Sequence, residues 1–164
     1  METSKDTSPA RQQAEPARLK DRLPDWQTIL CLLLLLILGI LARVELFRGE
    51  EPVLVPDSGS YITAAERFLN EGSLVSRSRP PGYPLFLSVI YFICDEGAHH
   101  AVMRAQHVIG IAASFIWFGT FMLIVGNRWA ALACAAVIGL NYKVISFEGV
   151  ILTEALCLFL VAAH

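Results

Sequence analysis

Hydrophobic and polar positions are grouped in long blocks along this chain. Mostly apolar runs cover 26–42, 108–125, 129–145 and 150–164, and polar stretches separate them. A helix rises about 1.5 Å per residue and the hydrocarbon core of a bilayer is about 30 Å thick, so runs of this length are typical of membrane-spanning helices. The pattern predicts three full spans and a fourth that the chain only begins.

The polar region 43–103 contains two shorter segments with helical signals. Asp57 can cap a helix over 58–71, which Gly72 would end. Apolar residues recur there on one face of a 3.6-residue period: Tyr61, Ile62, Ala65, Phe68 and Leu69. This helix is too short to span and is expected to lie along the membrane interface.

The second segment, 84–94, begins at a proline suited to a first helical turn and is apolar except for Ser88. Its length favours a re-entrant or interfacial helix. If it instead spanned the membrane, every later segment would change sides.

Composition supports a membrane protein. The chain is 55% hydrophobic and 17% charged, against about 25% charged residues in an average chain. We therefore predict an all-α fold, a polytopic transmembrane helix bundle with juxtamembrane amphipathic helices in the first outer loop. No basic tract or nucleic-acid motif is present, so no nucleic-acid partner is expected.

The charges before the first span predict its orientation. Residues 1–25 are polar and predicted to form a disordered cytoplasmic tail, and Arg18, Lys20 and Arg22 directly precede the span. A cleaved signal peptide is the alternative, but the long polar start and the lack of a small-residue cleavage site favour an uncleaved anchor. This predicts a multi-pass protein of the cell (inner or plasma) membrane. Loop 43–103 and the region 148–154 then share the outer face.

Two acidic residues are candidates for chemistry. Asp57 could take a proton from a hydroxyl, although helix capping is the explanation that spacing alone favours. Glu154 has apolar neighbours on both sides, and an ionisable residue beside a membrane segment is a functional candidate by default. Its structural alternative is an internal ion pair with Arg104 or Lys143. Glu148 lies nearer the interface and is interpreted as solvated.

Arg77 and Arg79 form a positive cluster between the two short helices. They are either a solvated loop or phosphate contacts, because the planar guanidinium can bind two phosphate oxygens. Tyr83 is either an interface aromatic or a substrate contact.

A metal or cofactor site has little support. His100 and His107 could share a helix face, but they lack a clear third ligand, and His99 adds no recognised pattern. No Gly-rich phosphate loop, Ser-His-Asp arrangement or redox CxxC is present. We expect no cofactor, with a divalent metal as the alternative.

Several short motifs occur in a recognisable order. P-D-S-x-x-Y opens the first short helix, R-P-P-G-Y-P-L-F-L follows, R-x-Q-x-x-x-G leads into the second span, and L-T-E-A-L follows the third. This arrangement resembles the N-terminal part of C-type (GT-C) membrane glycosyltransferases, nearest the protein O-mannosyltransferase and aminoarabinose transferase group. The resemblance covers 26–163.

The resemblance implies an enzyme that transfers a sugar from a polyprenyl-phosphate donor to an acceptor glycan, lipid or protein on the outer face. Asp57 would be the catalytic base or acceptor-orienting group, and Glu154 the acidic residue of the second outer loop. Arg79, with Arg77, would lie near the lipid phosphate. Tyr61 and Tyr83 belong to the same motifs and are further substrate-binding candidates.

Members of that family have many more spans, so we expect this chain to be a truncated part of such an enzyme and inactive alone. The alternative is a non-catalytic small membrane protein or remnant that retains the scaffold. A small transporter is a third class, but the inverted repeat that one would look for is missing.

Overall fold

The computed structural model describes residues 25–73, 79–94 and 96–164. All regular secondary structure in these ranges is helical, apart from one isolated parallel bridge between Val53 and Val150. The helices are α1 (Trp26–Leu46), α2 (Ser58–Glu71), α3 (Gly82–Ile93), α4 (Ala98–Val125), α5 (Arg128–Gly139), α6 (Tyr142–Glu148) and α7 (Glu154–Ala163). Except for Asp25, the predicted tail lies outside the described residues, as does Arg77.

Two helices, α1 and α4, are long and apolar enough to cross a membrane, and α5 with α6 adds a third if this bent pair is one span. Helices α5 and α6 are bent by 53° relative to each other. At the bend, the Asn141 side chain accepts hydrogen bonds from the backbone N–H groups of Lys143 and Val144, at 3.0 and 3.4 Å. Asn141 therefore caps a new helix inside the predicted span 129–145.

The last apolar helix begins later than the sequence pattern predicts. Residues 150–153 are irregular, and the Gln106 side chain donates to the carbonyl oxygens of Val150 and Leu152, at 3.1 and 3.2 Å. Helix α7 then contains 10 residues, a length of about 15 Å. The described part of the predicted fourth span is therefore too short to cross a bilayer.

Helix α2 has the predicted bounds, and Gly72 ends it in the left-handed conformation, with φ +67°. Helix α3 packs across α2 through a buried cluster, and Ser88 Oγ donates to the Ala65 carbonyl oxygen at 3.2 Å. With 12 residues, α3 is about 18 Å long. It therefore agrees with the prediction of a helix that does not span.

Contacts at the two ends of the bundle show which segments lie together. At one end, Arg128, the first residue of α5, pairs with Asp25 before α1. At the other, Ser58 Oγ donates to the Ile151 carbonyl oxygen at 2.8 Å, beside the Val53–Val150 bridge. The start of α2 and the region 148–154 therefore share one end, as predicted.

Small residues allow α4 and α5 to pack closely, as is common between membrane helices. Gly139 on α5 lies against Ser114 on α4, and a Cβ added at Gly139 would overlap Ser114 Oγ. Ala135 and Ala131, one and two turns earlier, are fully buried. This stripe brings the two backbones together.

Gly139→Ala is therefore expected to lower the free energy of unfolding by about 1–3 kcal/mol, because the added methyl group forces the helices apart. Gly119→Ala is the matched control, since a Cβ at Gly119 on α4 meets only open space. Unfolding in an SDS titration measures both. Equal stability of the two variants would refute the close packing.

Candidate functional site

Asp57 directly precedes α2, but its side chain makes no capping hydrogen bond. Instead, Asp57 Oδ1 accepts a hydrogen bond from Arg79 Nη2 at 2.5 Å, and the two residues are 22 positions apart in the sequence. The capping interpretation of this carboxylate is thus wrong, because a charge-assisted bond to a guanidinium replaces the cap. The Asp57 side chain is 61% exposed, so it can be reached from outside the bundle.

Arg79 is held in one orientation by groups on the first turn of α2. Its Nε donates to Ser60 Oγ at 2.9 Å, and its guanidinium lies 4.7 Å from the centre of the Tyr61 ring. The hydrogen bond to Asp57 raises the pKa of Arg79, so the guanidinium remains charged. A quarter of the side chain is exposed, which leaves part of it open to an anion.

Tyr83 on α3 lies beneath this pair. Its ring meets the Tyr61 ring edge-on, with 5.2 Å between centroids. Tyr83 is 2% exposed, and its hydroxyl has no hydrogen-bond partner among the described residues. Burial raises the pKa of this hydroxyl, with smaller contributions from Tyr91 and Glu154 nearby. It therefore stays protonated and can donate a hydrogen bond.

Glu154, the first residue of α7, also carries a buried atom without a partner. Its Oε2 makes no hydrogen bond within the described chain, and neither Arg104 nor Lys143 pairs with it there. The side chain lines a small cavity of about 120 Å³ that Glu148 also borders. A buried polar atom left unpaired costs about 1–3 kcal/mol, so this end of the bundle has unused hydrogen-bonding capacity.

The structure thus brings together the predicted site residues that it describes. Asp57, Arg79, Tyr61 and Tyr83 form a chain of direct contacts. Glu154 lies between Leu152 and Leu156, which pack against the buried cluster that contains Tyr61 and Tyr83. We call Asp57, Arg79, Tyr61, Tyr83 and Glu154 the α2 site. They come from three separate helices or their flanks, so the arrangement depends on tertiary packing.

A second polar cluster was not predicted. Glu148, interpreted as solvated from the sequence, is 1% exposed, and that interpretation is wrong. Arg43 Nε and Nη2 donate to its two carboxylate oxygens at 2.7 and 2.5 Å, and His107 Nδ1 lies 3.0 Å from Oε2. We call Arg43, His107 and Glu148 the buried triad. It joins α1, α4 and α6.

The buried triad is tightly enclosed. A Cβ added at Gly110 would overlap Glu148 Oε1, and the Phe47 ring covers His107 with 4.6 Å between centroids. Arg43 Nη1 also donates to the Gly39 carbonyl oxygen at 3.1 Å. The sequence held a signal for this pair. Arg43 and Glu148 carry opposite charges, each follows an apolar run, and the predicted topology places both on the same face. Because both carboxylate oxygens are engaged, a structural role fits this triad best.

Within 25–73, 79–94 and 96–164, no three His, Cys, Asp or Glu side chains are arranged to hold a metal ion. Comparison of the chain with known protein families, curated proteins and solved structures gives no match.

Proposed function

We propose that this chain carries the outer-face site of a membrane glycosyltransferase that takes its sugar from a polyprenyl-phosphate donor. The observation that supports the proposal best is the Asp57–Arg79 pair at the start of α2. It places an accessible carboxylate beside an oriented, partly open guanidinium. Sugar transfer from a lipid phosphate needs a base for the acceptor and a cation for the leaving group.

In this mechanism, Asp57 accepts the proton of an acceptor hydroxyl as its oxygen attacks the anomeric carbon of the donor. The bond between that carbon and the phosphate oxygen breaks, and the electron pair leaves with the polyprenyl phosphate. Arg79 stabilises the charge that develops there. The products are a glycoside, polyprenyl phosphate and a proton on Asp57.

The surroundings of the α2 site suit a lipid-linked donor. Phe92 and Ile93, at the end of α3, are 83% and 72% exposed, as expected for side chains that enter the bilayer. Helix α3 also carries Tyr83 into the α2 site. In this proposal, the polyprenyl chain packs along α3 and its phosphate reaches Arg79. The basic residues before α1 favour the outer face for this end of the bundle.

A non-catalytic membrane protein is the second candidate, and the same pair favours it in one respect. Asp57 and Arg79 neutralise each other, so they could serve only to tie the loop before α3 to α2. In that case neither residue would affect a reaction, and transfer would be absent from the unchanged protein.

Arg79→Gln distinguishes the two candidates. The chain, within the longer enzyme that the resemblance implies, would be placed in liposomes and given polyprenyl-phosphate-linked hexoses and pentoses with candidate acceptors. Released polyprenyl phosphate would be measured. We expect kcat/KM to fall by about 100- to 1,000-fold, the loss typical of removing one group that stabilises transition-state charge. Arg67→Gln is the control, because Arg67 is exposed on α2 away from the pair. No release by the unchanged longer enzyme, or equal release by both variants, would contradict the proposal.

A further inference from the structure

A cavity of about 460 Å³ lies between the end of α1 and the first half of α4. Its membrane side is apolar and includes Ile40, Val44 and Val108, which are 44%, 57% and 67% exposed. Polar and charged side chains line the other side: Glu50, Glu51, His100 and Arg104. Arg43 and His107 of the buried triad also border the cavity. The cavity shares no residue with the α2 site. It combines a surface for an acyl chain with a surface for a charged headgroup.

Arg104 lines this cavity and belongs to the motif R-x-Q-x-x-x-G. In the motif R-x-Q-x-x-x-G, the other two residues have structural roles. Gln106 holds the 150–152 backbone and Gly110 makes room for Glu148. Arg104 is exposed and makes no ion pair with the residues that the structure describes. Arg104 lines the cavity, and a guanidinium suits a phosphate group.

Both signs of charge occur at this surface. Glu51 Oε2 lies 3.0 Å from His100 Nε2. The neighbouring Glu50 is exposed and lines the same cavity. A headgroup with only negative charge would be attracted by Arg104 and repelled by these carboxylates. A headgroup that carries a phosphate and an ammonium group complements both.

We infer that this cavity binds a zwitterionic phospholipid with a primary amine, of the phosphatidylethanolamine class. The phosphate contacts Arg104, the ammonium group donates hydrogen bonds to Glu50, and an acyl chain lies along Ile40, Val44 and Val108. Phosphatidylcholine fits less well because its quaternary ammonium has no N–H donor. Phosphatidylglycerol fits less well because it has no cation for Glu50.

The test uses the full chain in vesicles that contain a photoreactive phosphatidylethanolamine, phosphatidylcholine or phosphatidylglycerol with identical acyl chains. Cross-linked peptides are identified by mass spectrometry. Phosphatidylethanolamine is expected to label the peptides around Val44 and Val108 well above the other two lipids. Labelling around Leu123 and Ile124, exposed near the opposite end of α4, reports ordinary bilayer contact and should not depend on the headgroup.

Variants assign the headgroup contacts. Arg104→Gln should reduce cavity labelling by phosphatidylethanolamine on the order of tenfold, equivalent to about 1.4 kcal/mol, whereas Arg67→Gln should leave it unchanged. Glu50→Gln should shift the preference toward phosphatidylglycerol, because a repulsive carboxylate is removed. Glu71→Gln is its control.

Three outcomes would overturn the inference. Equal labelling by all three lipids would mean ordinary bilayer contact. Displacement of phosphatidylethanolamine by polyprenyl phosphate would make the cavity a donor site. Unchanged labelling of Arg104→Gln would separate the lipid from the residue proposed to hold its phosphate. None of these outcomes depends on whether the chain transfers sugar.

Discussion

Asp57→Asn is expected to lower the rate of sugar transfer by about 100- to 10,000-fold, the usual contribution of a positioned general base. The amide keeps the shape of the side chain and can still accept a hydrogen bond from Arg79. It cannot take the proton of an acceptor hydroxyl. Because Asp57 makes no capping bond to α2, the helix should remain intact. Release of polyprenyl phosphate measures the rate, and circular dichroism checks the helix content.

The matched control is Glu71→Gln, which removes an exposed carboxylate from the other end of the same helix. It should transfer sugar at the unchanged rate. If Asp57→Asn transferred sugar as fast as this control, Asp57 would not be the base and the pair would have only a structural role. Donor binding by Asp57→Asn, measured separately, should persist because Arg79 keeps its charge.

Glu148→Ala is expected to lower the free energy of unfolding by about 3–5 kcal/mol, because it leaves Arg43 charged and buried without its partner. Arg43 is 4% exposed and both of its bonds to Glu148 would be lost. An SDS titration of the reconstituted chain measures this change. Arg128→Gln is the control, since the pair between Arg128 and Asp25 is partly exposed and such pairs contribute about 0–1 kcal/mol.

A double variant separates the two causes of that loss. In Arg43→Met with Glu148→Leu, no buried charge remains, so much of the stability should return. If Glu148→Ala were as stable as Arg128→Gln, the buried triad would not hold the bundle together. If the double variant were less stable than Glu148→Ala, the ion pair itself would be stabilising, beyond the cost of an unpaired charge.

The buried triad and the α2 site are connected through the backbone. Glu148 ends α6, and the residues after it bond to the segment that leads into α2. Val53 N–H donates to the Gly149 carbonyl oxygen, Ile151 N–H donates to the Val53 carbonyl oxygen, and Ser58 Oγ donates to the Ile151 carbonyl oxygen. Glu148→Ala should therefore reduce transfer as well as stability. In Asp57→Asn, transfer alone should fall, so the two measurements together distinguish a catalytic effect from a structural one.

Several elements of the fold could be predicted from sequence because local physical chemistry decides them. The apolar runs predict α1 and the membrane part of α4, since only a helix satisfies the backbone of such a run in a bilayer. The bounds of α2 were predicted from the apolar period, Gly72 and a cap by Asp57; the bounds are correct, although Asp57 does not form the cap. The placement of α2 and the region 148–154 at one end follows from counting spans.

The partners of the charged side chains could not be predicted in this way. Capping and ion pairing both suit Asp57, and only the packing of α3 against α2 brings Arg79 within 2.5 Å. Glu148 resembles a solvated residue in the sequence, and only the approach of α1 and α4 gives it Arg43 and His107. The sequence by itself determined which segments are helical and which residues carry charge. The tertiary structure decided which charges meet, because these contacts join residues far apart in the chain and depend on helix packing that no local pattern encodes.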